Sequence, residues 1–516
     1  MTADRKRFLY NVIWSWTGVA VNLLLGLFLS PILVRKLGVA QYGVWVLLFS
    51  TMDYLRLLDF GFRAAVINRC ARHKANQEWA AINETVNTAI VYFVLMSAAC
   101  VIAAVLVRQP AMDFFNVDPA LRPEARLLLI IIAVSISARL VFSPVAGALE
   151  GFQRFDLINR AYIGALTARA VGSIALLLSG HGLISLGYLV LIVQTGEDVW
   201  NFLSLKRVFP QLQLSPRWIR RRAFHGMFSY GKHSSVMAGA NLVSIQAPST
   251  VLGYLSGPTE VAYFALPWRL LMYATEAFSK VGQITATVTA ELDARQDSGN
   301  VCRLAIVTNR NCLALFMPAA IFLSVYAVPL LTVWVSPEIG RASGPLLPWL
   351  VVPFLLAGAG QFNSGAVLIG QGRHGYYAAG IVIEVILTIV ALCLVVPHHG
   401  AYGAGIVIAV ALTLVRGFYL AVVMCRLNAL SVRYYANAIY TRPLLAGIPV
   451  LALAVVMRHT VLTGTNWFEL ITAAAILTLV YFGIAAAVVL DPLVRSEILG
   501  RLRRRHGTAR TVAAAD

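Results

Sequence analysis

Long apolar stretches follow one another along almost the whole chain, separated by short segments that carry most of the charged residues. An apolar stretch of about 20 residues crosses the hydrocarbon core of a bilayer, about 30 Å thick, as one α-helix. The pattern therefore predicts an all-α integral membrane protein with about fourteen transmembrane helices. The predicted helices lie near residues 12–34, 41–58, 85–107, 127–149, 161–179, 183–205, 227–253, 261–288, 303–335, 345–370, 376–396, 402–424, 443–460 and 467–490. The ninth stretch is unusually long, so we expect it to be tilted, kinked at Pro318 or Pro329, or partly interfacial.

Composition and charge agree with a chain that lies in lipid. Hydrophobic residues make up 59% of the chain and charged residues 13%, which is too little polar surface for a water-soluble globule. The net charge of +19 would suggest a nucleic-acid partner in a soluble protein. Here, placing the N-terminus in the cytoplasm puts about 27 of the 42 Lys and Arg residues inside and about 7 outside. We therefore predict cytoplasmic N- and C-termini and no nucleic-acid partner.

Neither an enzyme nor a metal site is expected. No segment between predicted helices is longer than about 25 residues, which is too short for an extramembrane catalytic domain. A membrane glycosyltransferase or polymerase would need a carboxylate constellation and a sizeable loop to hold its sugar donor. The six cysteines form no Cys-x-x-Cys pair, and His398 and His399 lie in a short external turn, where solvated side chains are expected. The sequence therefore predicts no metal and no cofactor.

Landmarks of the first part of the chain recur later at nearly one spacing. The pairs are Gly151 with Gly370, Arg154 with Arg373, Gly182 with Gly400, Gly187 with Gly405, Gly38 with Gly257 and Tyr42 with Tyr263, at offsets of 218 to 221 residues. Six predicted helices separate equivalent points, so both copies cross the membrane in the same direction. We predict two six-helix lobes in a parallel pseudo-twofold repeat, residues 1–215 and 216–430, followed by two further helices and a basic cytoplasmic tail, residues 431–516. Pro216–Phe224, where the second lobe begins, is either an interfacial connector on anionic lipid or an ordinary positive-inside anchor.

The first 80 residues carry four short motifs of glycine, proline and aromatic positions in apolar surroundings. They are Asn11-Val12-Ile13-Trp14-Ser15, Ser30-Pro31-Ile32-Leu33-Val34-Arg35-Lys36-Leu37-Gly38, Tyr42-Gly43-Val44-Trp45 and Leu57-Leu58-Asp59-Phe60-Gly61. In order and spacing this region resembles the opening helices of the bacterial polysaccharide, or O-antigen, flippases of the MOP superfamily, which also contains the MATE drug exporters and the lipid II flippases. The resemblance implies a MATE-like fold and translocation of an undecaprenyl-diphosphate-linked oligosaccharide from the inner to the outer leaflet of the bacterial inner membrane by alternating access, for lipopolysaccharide or other surface polysaccharide biosynthesis. Membrane lipids and a polysaccharide polymerase are the further partners that it implies.

Charged residues within the predicted helices are the candidates for a binding site, because a charge at membrane depth costs a few kcal/mol and should face protein, water or substrate. A lipid-diphosphate head group is an anion that Arg and Lys bind by charge-assisted hydrogen bonds. The candidate substrate-binding residues are Arg56, Arg139, Lys232, Arg269 and Lys280. Each has a structural alternative: Arg56 can pair with Asp53 and Asp59, Lys232 can reach the interface, and Lys280 can pair with Glu276. We expect Arg269, near the middle of its helix, to face the cavity.

The coupling ion and a rival function stay open. Glu197, Asp198, Glu276 and Glu384 lie within predicted helices and are options for ion coupling, but each is equally a counter-ion for a nearby cation. The alternative function is a MATE-like, ion-coupled exporter of small cationic compounds. Such an exporter would favour an acidic, aromatic cavity, whereas basic residues outnumber acidic ones in the predicted helices.

Overall fold

The structure, a computed structural model, describes residues 21–22 and 25–489, and for 230–237 and 274–280 it describes the backbone without the side chains. Every regular element in this part of the chain is helical. The first elements are α1 (25–37), α2 (Val39–Asp53), α3 (Phe62–Ala75), α4 (Trp79–Val107), α5 (Pro110–Phe114), α6 (Arg122–Gly151), α7 (Phe155–Leu178), α8 (Leu183–Val208), α9 (Arg221–Ser256) and α10 (Pro258–Ala294). Short 3-10 helices cover Tyr54–Asp59 and Pro216–Trp218.

The remaining helices include three π-helical segments. The α-helices are α11 (Ser298–Val325), α12 (Ala327–Trp334), α13 (Pro337–Ser343), α14 (Leu346–Pro353), α15 (Gly360–Gly370), α16 (His374–Leu412), α17 (Leu420–Leu427), α18 (Val432–Ala436), α19 (Arg442–Thr460) and α20 (Trp467–Val488). The π-helical segments are Phe354–Ala359, Thr413–Tyr419 and Asn437–Thr441.

These helices confirm the predicted fold class of a multi-pass, all-α membrane protein. Nine helical stretches in the described residues are long and apolar enough to cross a membrane. Part of the first predicted stretch lies outside the described residues, and the exact count of fourteen stays a prediction. The long ninth stretch is divided, since α11 ends at Val325 and α12 begins at Ala327. Pro329 stands in the first turn of α12, where its missing N–H is tolerated, whereas Pro318 lies inside α11.

The described chain forms two compact units that do not follow chain order. Unit 1 comprises Met1–Glu276, Trp334–Leu346 and Ala378–Ala411, and unit 2 comprises Ala277–Val333, Leu347–Tyr377 and Leu412–Asp516. The unit boundary therefore falls inside α10 and inside α16. The lobes predicted from the repeat stay a prediction.

The core of unit 1 packs α3, α4, α6 and α8 around aromatic side chains. Phe62, Phe93 and Phe152 are buried there, and the Phe62 ring stacks on Tyr92 with 4.1 Å between ring centroids. Small residues let the helices approach: Ser97 and Ser137 exchange hydrogen bonds between α4 and α6. Close packing of small residues and interhelical hydrogen bonds stabilise helix association where lipid removes the hydrophobic driving force.

The segment between α8 and α9 is extended and attached to α4. The side chain of Asn83 donates to the Gln211 carbonyl and accepts from the Gln213 N–H, at 3.1 and 2.8 Å. Asn87, one turn later, does the same with the Gln213 carbonyl and the Ser215 N–H, at 2.8 and 3.0 Å. We call residues 209–220 the connector. Its basic end is one 3-10 turn followed by two extended residues. Pro216–Phe224 is therefore not one continuous interfacial helix.

At the predicted external end of unit 1, loop segments contact helices that are far away in the chain. The Trp334 indole donates to the Leu27 carbonyl at 2.7 Å, and Arg35 donates to the Val335 carbonyl at 2.6 Å. Asn116 donates to the Tyr254 carbonyl at 2.8 Å. These contacts tie the loop after α5 to the last turn of α9, and α1 to the end of α12 and the residue that follows it.

Unit 2 contains a buried network of neutral polar side chains. Asn309 donates to Ser364 and to the Tyr435 hydroxyl, at 3.1 and 2.8 Å, and Gln361 donates to Tyr440 at 2.9 Å. Asn309, Ser364 and Tyr435 are fully buried. Because each member finds a partner, the network joins α11 and α15 to α18 and to the π-helical segment that follows it, without leaving these polar groups unsatisfied.

The internal repeat has a structural counterpart. Gly38 and Gly257 share a left-handed φ of 83°, and Gln77 and Gln296 have φ values of 60° and 57°. A β-carbon built on Gly151 would lie 2.7 Å from the Ile67 carbonyl oxygen, and one built on Gly370 would lie 2.5 Å from the Ala286 carbonyl oxygen. Each of these pairs is separated by 219 residues, so equivalent positions of the two copies make equivalent backbone contacts. This supports the predicted parallel repeat.

Candidate functional site

A polar cavity of about 400 Å³ lies inside unit 1. It is lined from α1, α2, α7, α8, α9 and α10, together with residue 22. Its polar side chains are Asn22, Ser30, Ser50, Asp53, Arg169, Ser173, Gln246, Arg269 and Tyr273. Its larger apolar side chains include Leu29, Trp45, Phe49, Leu166 and Val190. A volume of this size is in the range of about 300–1,000 Å³ that small-molecule sites occupy.

Arg269 is the sequence-predicted residue that the structure places on the cavity wall. It lies on α10 and keeps accessible surface, although its helix is predicted to cross the membrane. Its Nη1 donates to the Ser30 hydroxyl at 3.2 Å, and Ser30 donates to the Gly26 carbonyl at 2.8 Å. The Tyr273 ring fills the space that a side chain at Gly26 would need. Close contact of α1 with α10 therefore holds the guanidinium beside the cavity.

Arg139 lies in an ion cluster instead of the cavity lining. Its Nη1 is 2.9 Å from Glu197 and 3.2 Å from Asp198, so one guanidinium on α6 bridges two consecutive carboxylates on α8. Both carboxylate side chains are almost fully buried. This is the internal pairing that the sequence left open for the acids. A substrate contact by Arg139 stays a prediction.

Arg56 is not among the residues that line the cavity. Its side chain is 66% exposed and lies 3.6 Å from Asp53. Asp59 instead accepts the Arg63 backbone N–H at 3.1 Å, so Asp53, Arg56 and Asp59 do not form one closed triad. Asp53 does line the cavity, where Gln246 donates to it at 2.9 Å.

Two of the predicted cations cannot be placed. Lys232 and Lys280 lie in α9 and α10, but their side chains are outside the described part of the chain, as is that of Glu276. Their role in substrate binding stays a prediction.

The structure adds residues that were not chosen from the sequence. Arg169 on α7 lines the cavity and also interacts electrostatically with Glu197. A charge within a predicted helix marked Arg169 as a possible site residue. One sequence does not show, however, that α7 lies beside α1. Gln246 and Tyr273 carried no signal, because single polar residues in apolar helices are common.

The charge of the lining suits an anion. Two guanidiniums, Arg169 and Arg269, face one carboxylate, Asp53, which already has a donor in Gln246. A guanidinium offers a planar fork of donors that matches phosphate oxygens. Trp45 and Phe49 pack together on the same wall, with 4.5 Å between ring centroids, and provide an apolar face. The arrangement can bind a phosphate-bearing head group whose attached groups are less polar.

Fold and cavity together define a multi-pass membrane protein with a polar site between its helices. The chain matches the family model described as "Polysaccharide biosynthesis protein" over residues 8–285, which is more than half of its length. The chain belongs to this family, and the resemblance drawn from its first two helices is confirmed. None of the curated proteins matches the sequence.

Solved structures share the fold over most of the chain. A lipid II flippase, MurJ, in an inward closed conformation aligns with a TM-score of 0.70 and 13% identity, covering 93% of this chain and 98% of that one. An inward-facing multidrug resistance MATE transporter of the MOP superfamily aligns with a TM-score of 0.66 and 13% identity, covering 82% and 95%. A MOP superfamily transporter from Pyrococcus furiosus, described as having a binding pocket of reverse polarity, aligns with a TM-score of 0.58 and 14% identity, covering 84% and 96%. At these identities the likeness is one of fold.

Proposed function

We propose that this protein is a flippase that moves an undecaprenyl-diphosphate-linked oligosaccharide from the inner to the outer leaflet of the bacterial inner membrane, for surface polysaccharide biosynthesis. Membership of the polysaccharide biosynthesis family supports the pathway. The fold shared with a lipid II flippase supports lipid-linked cargo. The observation that carries the proposal is the pair of guanidiniums on the cavity wall, Arg169 and Arg269.

The physical argument concerns the head group. A diphosphate loses its hydration when it enters the membrane, and the cost is recovered only by groups that replace water. Arg269 lines the cavity and is held there by Ser30, so its guanidinium is placed to meet the head group. Charge-assisted hydrogen bonds from such a fixed guanidinium are about twice as strong as neutral ones. The polyprenyl tail has no such cost and stays in lipid.

Alternating access completes the proposed cycle. The cavity accepts the head group from the cytoplasmic side, and rearrangement of the predicted lobes exposes it outside. The positive-inside distribution of Lys and Arg supports cytoplasmic termini. A polysaccharide polymerase that consumes the exported oligosaccharide is the partner that this role implies.

A MATE-like exporter of cationic compounds is the alternative. The similarity to a MATE transporter favours it at the level of the fold. The cavity does not, since its two guanidiniums would repel a cationic drug and its carboxylate, Asp53, is already engaged.

Deletion of the gene in its host tests the proposal. We expect undecaprenyl-diphosphate-linked oligosaccharide to accumulate on the cytoplasmic side, and wild-type protein to remove the accumulation. Arg269→Ala should complement about 10- to 100-fold less well, because a charge-assisted hydrogen bond to a buried anion contributes about 1.5–3 kcal/mol. Arg341→Ala is the matched control, since Arg341 is exposed and is not among the residues that line the cavity.

Two outcomes would contradict the proposal. Unchanged levels of lipid-linked oligosaccharide in the deletion strain would exclude a flippase role, and increased sensitivity to cationic drugs would then favour the exporter. Full complementation by Arg269→Ala at normal expression would show that the cavity is not the site that binds the head group.

A further inference from the structure

Arginines of two helices come together where α9 begins, at the predicted cytoplasmic side of unit 1. The arginine cluster, as we call it, comprises Arg69 and Arg72 of α3 and Arg220, Arg221 and Arg222 at the start of α9. The helices touch at this point, since Nη1 of Arg69 donates to the Ala223 carbonyl at 3.4 Å. The same nitrogen occupies the space that a side chain at Gly226 would need. Helix α3 therefore places a guanidinium against the first turn of α9.

The carboxylates near the arginine cluster are fewer than its cations. Glu84 Oε1 lies 3.4 Å from Arg220 Nε, so this acid belongs to one member of the cluster. Glu78 interacts with Arg72, but its own ion pair is with His73, at 2.5 Å. Five guanidiniums therefore face two carboxylates that already have partners.

The first turn of α9 holds its cations where a helix disfavours them. Arg221 and Arg222 are exposed and form no ion pair with any residue that the structure describes. No side chain caps α9 at its start, and its first turn has no acidic residue. The first N–H groups of a helix carry partial positive charge, which repels cations and favours an anion. Burial lowers the pKa of Arg69, and so do the charges of Arg222 and Arg72. A negative charge placed here would relieve the repulsion among the arginines and that of the helix end.

Apolar side chains are exposed beside the arginine cluster. Ile219 is 36% exposed, and Phe228, which stacks on Phe224 with 6.3 Å between ring centroids, is 45% exposed. The transmembrane stretch predicted for α9 begins at Met227, so the arginines lie one to two helical turns to its cytoplasmic side. Phospholipid phosphates lie at that depth, and basic clusters next to the end of a transmembrane helix attract anionic lipids. A phospholipid supplies both an anion and apolar chains, whereas a free phosphate supplies only the anion.

We propose that the arginine cluster binds the phosphate of an anionic phospholipid of the inner leaflet, whose acyl chains lie against Phe228 and its apolar neighbours. The bound lipid connects α3 to α9, because the cluster takes its arginines from both helices. Helix α9 also contributes Gln246 to the cavity lining. The lipid therefore fixes the cytoplasmic end of a helix that lines the cavity, whatever the cargo is.

Native mass spectrometry of the purified full chain in detergent tests the proposal, because it resolves single bound lipids. Phosphatidylglycerol and phosphatidylcholine with identical acyl chains compare an anionic with a zwitterionic head group. We expect wild type to bind phosphatidylglycerol about tenfold more tightly than phosphatidylcholine. Arg222→Gln should weaken phosphatidylglycerol about fivefold and leave phosphatidylcholine unchanged, as expected for one arginine beside an anionic lipid.

Arg303→Gln is the matched control. Arg303 is an exposed arginine at the predicted cytoplasmic end of α11, so it carries a positive-inside charge outside the arginine cluster. This variant should bind phosphatidylglycerol as tightly as wild type. An equal loss of binding in Arg303→Gln and Arg222→Gln would overturn the proposal, because the lipid would then respond to the overall charge of the cytoplasmic side.

The wild-type protein tests the proposal without any variant, which covers the case in which Arg222→Gln does not fold. Equal affinity of wild type for the two lipids would overturn it. Inorganic phosphate and pyrophosphate are then added as competitors. Displacement of phosphatidylglycerol by either anion at a similar concentration would overturn the assignment to a phospholipid, whereas retention of the lipid supports it. Transport of the oligosaccharide is measured separately, so failure of this proposal would leave the proposed function standing.

Discussion

Gly151 and Gly370 stand at the ends of α6 and α15, and the absence of a side chain at each allows backbone to pass at close range. The α3 carbonyl of Ile67 occupies the space beside Gly151, and the α10 carbonyl of Ala286 the space beside Gly370. A backbone atom cannot rotate away as a side chain can. The recurrence of glycine in the sequence repeat therefore has a steric cause.

Gly151→Ala should destabilise the protein by about 1–3 kcal/mol, because the added methyl forces α6 away from α3. Gly164→Ala is the matched control: nothing lies within 4 Å of its β-carbon position in α7, and alanine favours a helix by up to about 1 kcal/mol over glycine. Thermal unfolding of the two purified variants compares them. Equal melting temperatures would show that the helices relax without cost.

At the scale of elements, the connector is held by α4 side chains and does not behave as a free linker. Asn83 and Asn87 lie four positions apart, so one face of α4 presents two amides that pair with the connector backbone as a neighbouring strand would. Arg220 is held in the same way, since its N–H donates to Thr88 at 3.1 Å. The start of α9 is therefore set by α4.

Asn83→Ala should release the middle of the connector. Loss of the amide leaves the Gln211 carbonyl and the Gln213 N–H without their partner, and each unsatisfied group costs about 1–3 kcal/mol when buried. Hydrogen exchange of residues 211–215 should become faster, and proteolysis in the connector more frequent. Gln211→Ala serves as the control, because that side chain is exposed and the structure uses only its backbone. Similar exchange in both variants would contradict the role given to Asn83.

At the scale of the whole molecule, transport requires the cavity to open to each side in turn. In unit 1 the predicted external end is tied by Trp334 to α1, by Arg35 to Val335 and by Asn116 to Tyr254. In the proposed cycle, these bonds join segments that separate when the cavity opens to the outside. These hydrogen bonds are few, and each is neutral or involves one charge. Their loss should therefore raise the population that is open to the outside without unfolding the chain.

Trp334→Phe removes the indole N–H that donates to Leu27 and keeps most of the ring. Loss of one hydrogen bond of about 1 kcal/mol should raise the population open to the outside about fivefold. In a cysteine-free background carrying Ser50→Cys on the cavity wall, a membrane-impermeant thiol reagent applied outside should label about fivefold faster. Trp467→Phe, at an exposed position on α20, should leave the rate unchanged. Slower or equal labelling of Trp334→Phe would contradict the proposed closure.

The sequence by itself determined the fold class, the family and the internal repeat. Each depends on properties that are local in the chain: the length of an apolar stretch against the thickness of a bilayer, the order of glycine and aromatic positions, and the spacing at which they recur. The α3–α6 and α10–α15 contacts at Gly151 and Gly370 give that spacing its physical basis.

Tertiary structure alone decided which charges meet. Arg269 reaches a serine that lies 239 residues earlier, and Arg139 was expected in the cavity but bridges two acids of α8. Arg169 faces the cavity because α7 packs near α1 and α2. The sequence pattern predicts that a charge lies at membrane depth, but the partner of that charge comes from another helix. Whether the charge contacts substrate or forms an ion pair therefore depends on how the helices pack.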